Sequence, residues 1–223
     1  MTKEPGKRIT RRQANAALLA AGAMTAIPGA ALAQQARALP APRKEIGKPL
    51  MQALQARRSI REYSPRGIPA PVLSDLLWAA YGVNRSSGDR TAPYWRHIMV
   101  IDVYCAMADG VWLYEPKAHT LLPHLASDLR ALTGMQDFPA TAPLNLVYVV
   151  HGERMQDVPP EGRRLYGSVD AAFAGQNVYL YCASEGLATV FRGAVDAEKL
   201  GRAMKLGEGQ FVVFAQTVGY PRT

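Results

Sequence analysis

The sequence predicts a mixed sheet covered by helices. Three observations carry this. β-rich runs interleave with helical patterns along the chain, two of those runs lie close together between 97 and 114, and Leu144–Val150 (LNLVYVV) is almost continuously β-rich, as a strand covered on both faces should be. With 223 residues, 48% of them hydrophobic and 20% charged, the chain can bury one substantial core. Its 19 glycines, 16 prolines and 2 cysteines exclude a collagen-like, disordered or disulfide-stapled protein.

The first element is an address rather than a fold. Met1–Arg12 is short and basic, no charged side chain occurs from Gln13 to Ala36, and Ala31-Leu32-Ala33 supplies a small-x-small cleavage pattern. Residues 1–33 are therefore expected to be an export signal peptide, placing the mature protein outside the cytoplasm, in the periplasm. Gly22, Pro28 and Gly29 break the Ala-rich stretch and argue against a membrane-spanning helix. Thr10-Arg11-Arg12-Gln13 resembles the start of a twin-arginine signal, whose machinery exports folded proteins, although Ala14 and Asn15 stand where bulky apolar residues usually follow. Five of the 26 basic residues and one of the 18 acidic residues lie in this segment, so beyond it the net charge falls from +8 to +4. A nucleic-acid binder rests on the larger number alone.

Residues 34–48, with Pro40, Pro42, Lys44 and Lys48, read as a linker, and a domain is expected over 49–223. Leu50, Met51 and Leu54 open a helix that runs into Arg57-Arg58-Ser59-Ile60-Arg61. Pro69–Tyr81 is a second helix, with Leu73, Leu76, Leu77 and Ala80 on one face and Gly82 as its stop. His97–Ala106 and Gly110–Tyr114 are strands, and Pro123–Thr133 is expected to be helical up to Gly134. Leu165–Ser184 is a long helix ending at Gly186, Ala197–Met204 is a short one, and Gln210–Val218 is the last strand. The long helix has almost no polar face between Val169 and Ala183, which predicts burial on every side, most easily with a second subunit over part of it.

Three segments carry candidate chemistry. Arg57, Arg58, Ser59 and Arg61 put three guanidinium groups and a hydroxyl at a helix end, a donor set suited to phosphate, or equally an ordinary solvated basic turn. Glu185-Gly186-Leu187 marks where the long helix stops and an apolar strand begins. Glycine there lets backbone approach a flat ring, or simply caps a helix. Gly219-Tyr220-Pro221-Arg222 ends the chain with a further cation, as a phosphate contact or a frayed terminus. His97, His119, His124 and His151 lack metal-ligand spacing, so no metal and no catalytic side chain is expected. Neither a Walker loop, a GxGxxG motif nor a nucleophile elbow occurs. Cys105 and Cys182 are read as two buried thiols or as a pair, and Trp78, Trp95 and Trp112 as packing residues.

Taken in order, RRSIREY, LSDLLWAAYGVNR, RTAP, APLNLVYV, QNVYLYCASEGLAT and TVGYP resemble the nitroreductase family over residues 49–222, most of all its branch related to azoline-oxidising dehydrogenases of peptide-modifying systems. The resemblance implies an α+β sandwich with a mixed, mainly antiparallel sheet, dimeric, holding FMN at the subunit interface. It places Arg57, Arg58, Ser59 and Arg61 at the phosphate and pyrimidine ring, with Arg222 as a further cofactor contact, and Glu185, Gly186 and Leu187 along the isoalloxazine. Pro93 and Tyr94 would lie where the partner subunit approaches the flavin. The family usually has Ser, Asn and Gln where this chain reads Tyr94, His97 and Met99, so the pyrimidine contacts differ.

The implied activity is FMN-dependent ping-pong electron transfer to or from a small organic substrate such as a nitro compound, quinone or azoline. Because NAD(P)H is cytoplasmic, an exported protein of this kind needs either a substrate oxidised directly or a redox partner at the membrane. Two other readings stay open. One is a non-catalytic flavin- or ligand-binding protein, and the other a cytoplasmic NAD(P)H-dependent nitroreductase that keeps its N-terminus.

Overall fold

The computed structural model describes residues 34–222; the expected signal peptide and its twin-arginine motif lie outside the described residues. An antiparallel sheet of seven strands is flanked by helices on both faces, the α+β architecture expected. Its strands are β1 (Arg37–Ala38), β2 (Ile101–Met107), β3 (Gly110–Glu115), β4 (Thr120–Leu125), β5 (Leu144–His151), β6 (Ala188–Arg192) and β7 (Gln210–Gly219), in spatial order β1-β4-β3-β2-β5-β7-β6. The helices are α1 (Leu50–Ala56), α2 (Ala70–Tyr81), α3 (Phe138–Thr141), α4 (Pro160–Glu185) and α5 (Ala197–Ala203).

Central strand β5 shows why its sequence does not alternate. All eight of its residues are buried. Leu146, Tyr148 and Val150 face a core shared with α2 and α4, while Val147 and Val149 face a second core with Leu200 and Met204 around α5. Helix α4 crosses the first face through Ala171, Ala174, Gly175, Val178 and Cys182, a stripe at helical spacing. Gly175 is required by the closeness of this crossing, because a Cβ there would fall 2.5 Å from the Phe191 ring.

The expected burial of α4 on every side holds for only one stripe within a single chain. Leu165, Val169 and Phe173 stand on its outer face 59%, 41% and 44% exposed. This departs from the sequence reading because the sheet can cover only one side of a helix.

Two further expectations need correction. Residues 123–133 are not helical: Pro123–Leu125 complete β4, paired antiparallel with β3, and a 3-10 turn at Arg130–Leu132 follows. Asp128 takes the Arg130 backbone N–H at 3.0 Å and its guanidinium at 2.8 Å, local bonds that compete with a continuing helix. His97 also falls outside the strand predicted for it. It ends a 3-10 turn, with Arg96 at φ 44° and His97 at φ 57°, and the strand begins at Ile101.

Residues 34–48, expected as a linker, are a strap laid on the domain. Arg37–Ala38 pairs with β4 as an edge strand. Arg43 holds the buried Asp75 of α2 through its backbone N–H at 2.7 Å and its guanidinium at 2.6 Å. The Lys48 N–H then donates to Ser184 Oγ at 2.6 Å, near the end of α4. Proline and lysine content concealed this, since the strap is held by polar bonds rather than an apolar stripe.

Candidate functional site

The site begins with the chain leaving α1 at Arg57, the helix's C-terminal cap, whose N–H donates to the Ala53 carbonyl. From there the backbone runs along the free edge of β6, where the Ile60 N–H donates to Thr189 O at 3.0 Å. It then meets the chain's own C-terminal residues. Ser64 N–H donates to Tyr220 O at 2.9 Å, Arg222 N–H to Glu62 O at 3.2 Å, and Tyr63 bridges Pro221. Two sequence motifs separated by most of the chain are thereby joined into one wall.

The side chains on this wall divide into two groups. Arg57 lies over the Tyr179 ring of α4, 5.3 Å from its centroid, and Ser59 Oγ is 2.8 Å from the Tyr179 hydroxyl. That hydroxyl also accepts the Phe191 N–H at 3.0 Å, so it bridges the loop and β6. Arg58 instead folds back, donating to the carbonyls of Gln55 and Arg57 at 2.9 and 3.0 Å. Arg61 and Arg222 line a cleft of about 290 Å³ with Phe138 and Asp137. Among the described residues no carboxylate lies within ion-pair distance of Arg57, Arg58, Arg61 or Arg222.

Under the cleft sits a residue that sequence reading missed. Arg192, at the end of β6, is buried and donates to Thr133 O at 2.8 Å, Thr217 Oγ1 at 2.9 Å and Asn145 Oδ1 at 3.3 Å. It stacks on the Phe138 ring at 5.5 Å, and burial lowers its pKa to about 10. Its only sequence signal was an arginine closing the apolar run ATVFR. Tyr179 was hidden in the same way, as one of several aromatics in a long helix.

At the end of α4, Gly186 caps the helix at φ 72°, and both its N–H and that of Leu187 donate to the Cys182 carbonyl. A Cβ at Gly186 would meet nothing within 4 Å, so the backbone here faces open space. Glu185 lines a shallow cleft of about 320 Å³ with Ile46, Trp78 and Tyr181. Pro93 and Tyr94 line a separate cleft of about 380 Å³, so within one chain they stand apart from the arginine wall. There the Tyr94 hydroxyl donates to Asp89, and Tyr94 meets His97 edge-on at 5.8 Å. Buried Asp170 accepts the Trp95 N–H at 3.0 Å, and desolvation raises its pKa to about 6. Cys105 and Cys182 are separate, buried free thiols.

Chemically, this is a wall of guanidinium groups without carboxylate partners among the described residues, next to an unobstructed helix end. Such a donor set suits a phosphate, and the open backbone at Gly186 suits a flat ring, so the residues fit a flavin mononucleotide.

Known proteins resemble this chain over most of its length. The family model described as Nitroreductase family matches residues 54–220. A protein of Methanocaldococcus jannaschii that bears the name nitroreductase is 31% identical over 169 residues, covering 71% of this chain and 85% of its own. A crystal structure under the same name from Ralstonia eutropha JMP134 superposes with a TM-score of 0.82 at 42% identity, covering 88% of this chain and 94% of that one. The NADPH:FMN oxidoreductase of Vibrio harveyi, complexed with NAD+, shares the fold at 20% identity and a TM-score of 0.58, over 78% of this chain and 69% of its own.

Proposed function

The chain belongs to the nitroreductase family and is an oxidoreductase; from that premise we propose that it is an FMN-dependent enzyme acting on a small organic substrate, a nitro compound, quinone or azoline. The observation that carries the reading is the joining of Arg222 in one cleft with Arg61, on the segment that also carries Arg57 and Ser59.

In this reading Arg57, Ser59, Arg61 and Arg222 hold the phosphate and pyrimidine end of the cofactor, with Arg58 beside them. Glu185, Gly186 and Leu187 flank its ring. FMN, when bound, supplies the transfer of electrons between donor and acceptor in two half-reactions. The chain's residues bind, orient and exclude water. Buried Arg192 adds a fixed positive potential beneath the cleft, favouring an anion above it. No side chain acts as a nucleophile.

We also propose that the enzyme is a homodimer. The exposed stripe Leu165, Val169 and Phe173 on α4 supports this, because a second copy would cover it. Pro93 and Tyr94, set apart from the arginine wall in their own chain, would then reach the flavin of the other subunit. Residues 1–33 are proposed to direct export by the twin-arginine route to the periplasm. The electron donor would there be the organic substrate itself or a partner at the membrane. Kinship with the azoline-oxidising branch is part of the same proposal.

The test is an absorbance spectrum of the full chain after FMN addition and desalting, followed by stopped-flow reoxidation with quinones and nitroaromatics. Retained flavin bands with rapid reoxidation support the enzyme. Retained flavin that no acceptor reoxidises would make it a binding protein, and a folded but colourless protein would end the flavin reading.

A further inference from the structure

A second cleft, of about 320 Å³, lies over β2 and β3, away from the arginine wall. Ile101, Val103 and Leu113 give it an apolar lining, and Arg90 and Arg154 line it as well. Met99 fixes both. Its carbonyl accepts from Arg154 Nη1 at 2.6 Å, and its sulfur accepts from Arg90 Nη2 at 2.9 Å.

Arg90 is the unusual member. It is only 5% exposed, yet no described carboxylate lies within ion-pair distance of it. Its bonds go to a thioether and to the Gly88 carbonyl at 2.8 Å, while its Nε has no partner. Tyr81, 2% exposed in the same wall, also has a buried hydroxyl without a partner.

Of the acidic residues of the cleft, Asp102 is shared between His151 and Arg154, and neither it nor Glu115 pairs with Arg90. Asp102 receives His151 Nε2 at 2.6 Å and lies 3.9 Å from Arg154, and Glu115 accepts the Lys117 N–H at 2.9 Å. A buried cation held by one carbonyl, a weak sulfur acceptor and the Tyr81 ring, with one N–H unpaired, is stabilised further by an anion beside it. Water could take one hydrogen bond but not the charge.

We propose that this cleft is a binding site for an organic carboxylate. The two carboxylate oxygens would take the guanidinium groups of Arg90 and Arg154 and the Tyr81 hydroxyl. The carbon skeleton would lie on Ile101, Val103 and Leu113. Lys117, exposed at the rim, adds attraction during approach. The volume is at the small end of ligand pockets, which points to an acid about the size of benzoate. Met99 stands where the resembling family usually carries an amide, and here it serves to hold the two arginines.

Arg154 and the apolar lining are not among the residues assigned to the flavin, whereas Arg90 also borders the cleft of Pro93 and Tyr94, so the titration is run on the chain both with and without added FMN. The full chain is titrated with benzoate, with benzyl alcohol as the uncharged counterpart, and with inorganic phosphate, reading thermal shift and calorimetry. Saturable stabilisation by benzoate is expected, with benzyl alcohol and phosphate at least tenfold weaker. Arg154→Gln should weaken benzoate about tenfold, the loss of one charge-assisted bond. Tyr81→Phe, which keeps the packing, should weaken it less. Failure of millimolar benzoate to shift the melting temperature would overturn the proposal. So would equal binding of benzyl alcohol, equal binding of phosphate, or wild-type affinity in Arg154→Gln. Arg90→Gln serves as a confirming variant if it folds.

Discussion

The hydroxyl of Ser59 lies 2.8 Å from that of Tyr179, and this one bond ties the loop after α1 to the long helix α4. The same tyrosine accepts the Phe191 N–H at 3.0 Å from β6. The loop after α1 thus meets α4 and the strand that follows it at one phenol oxygen. Tyr179→Phe should remove both bonds and leave the Phe191 N–H unpaired, at a cost of about 1–3 kcal/mol. Urea denaturation should show a lower midpoint at unchanged slope. An unaltered midpoint would mean that the loop is held by its backbone alone.

Arg61 and Arg222 share a cleft, and their cationic ends have no carboxylate partner among the described residues. Following the proposed function, Arg61→Ala and Arg222→Ala should each weaken FMN binding about tenfold or more, as expected for losing a charge-assisted bond. Quenching of FMN fluorescence on titration measures this. Melting temperatures should stay close to wild type, since Arg61 is exposed.

Asp170 is buried, accepts one backbone N–H and has its pKa raised to about 6 by desolvation. A raised carboxylate pKa means that the folded state holds its proton more tightly than the unfolded chain. The associated stability is complete below the unfolded value of about 3.9 and is lost as pH rises through about 6. Asp170→Asn keeps an acceptor for Trp95 without the charge. It should be more stable than wild type at pH 7, by up to about 3 kcal/mol for a shift of about two units, with the advantage vanishing near pH 4. Thermal melts across that range provide the measurement.

His151 sits between two carboxylates, its Nε2 2.6 Å from Asp102 and its Nδ1 2.7 Å from Glu153. Burial alone would depress its pKa, but the bonds and charges of Asp102 and Glu153 prevail and raise it. The stabilisation is therefore present below the ordinary histidine value of about 6.5 and lost as pH rises through the higher folded value. His151→Gln should flatten the part of the stability profile above neutrality. Proton NMR of the His151 ring should locate its titration above that of a free imidazole.

Much of the fold was legible where burial imposes a pattern. The run LNLVYVV announced β5 because both of its faces are covered, and α4 and α2 announced themselves through apolar spacing and glycine stops. What escaped was held by polar or long-range bonds. The edge strand β1 depends on pairing with β4, and β4 itself depends on β3, so neither carries a local signature.

The site divides in the same manner. Arginines at the end of α1 could be seen as a donor set, but their junction with Arg222 exists only because residues 62–64 pair with residues 220–222. Arg192 and Tyr179 matter through three-dimensional neighbours that no spacing encodes. The turn at Arg96 and His97, with two side-chain-bearing residues at positive φ, likewise had no sequence mark.

The strap at 34–48 has a kinetic consequence. Its anchors are Asp75, Leu121 and Ser184, the last 136 positions beyond Lys48. A ribosome therefore delivers the strap long before it delivers the surface that receives it. Closing so large a loop is slow, and local elements such as the β2–β3 hairpin can form without it. Though among the first residues of the domain to be made, the strap gains its last anchor only once α4 is in place.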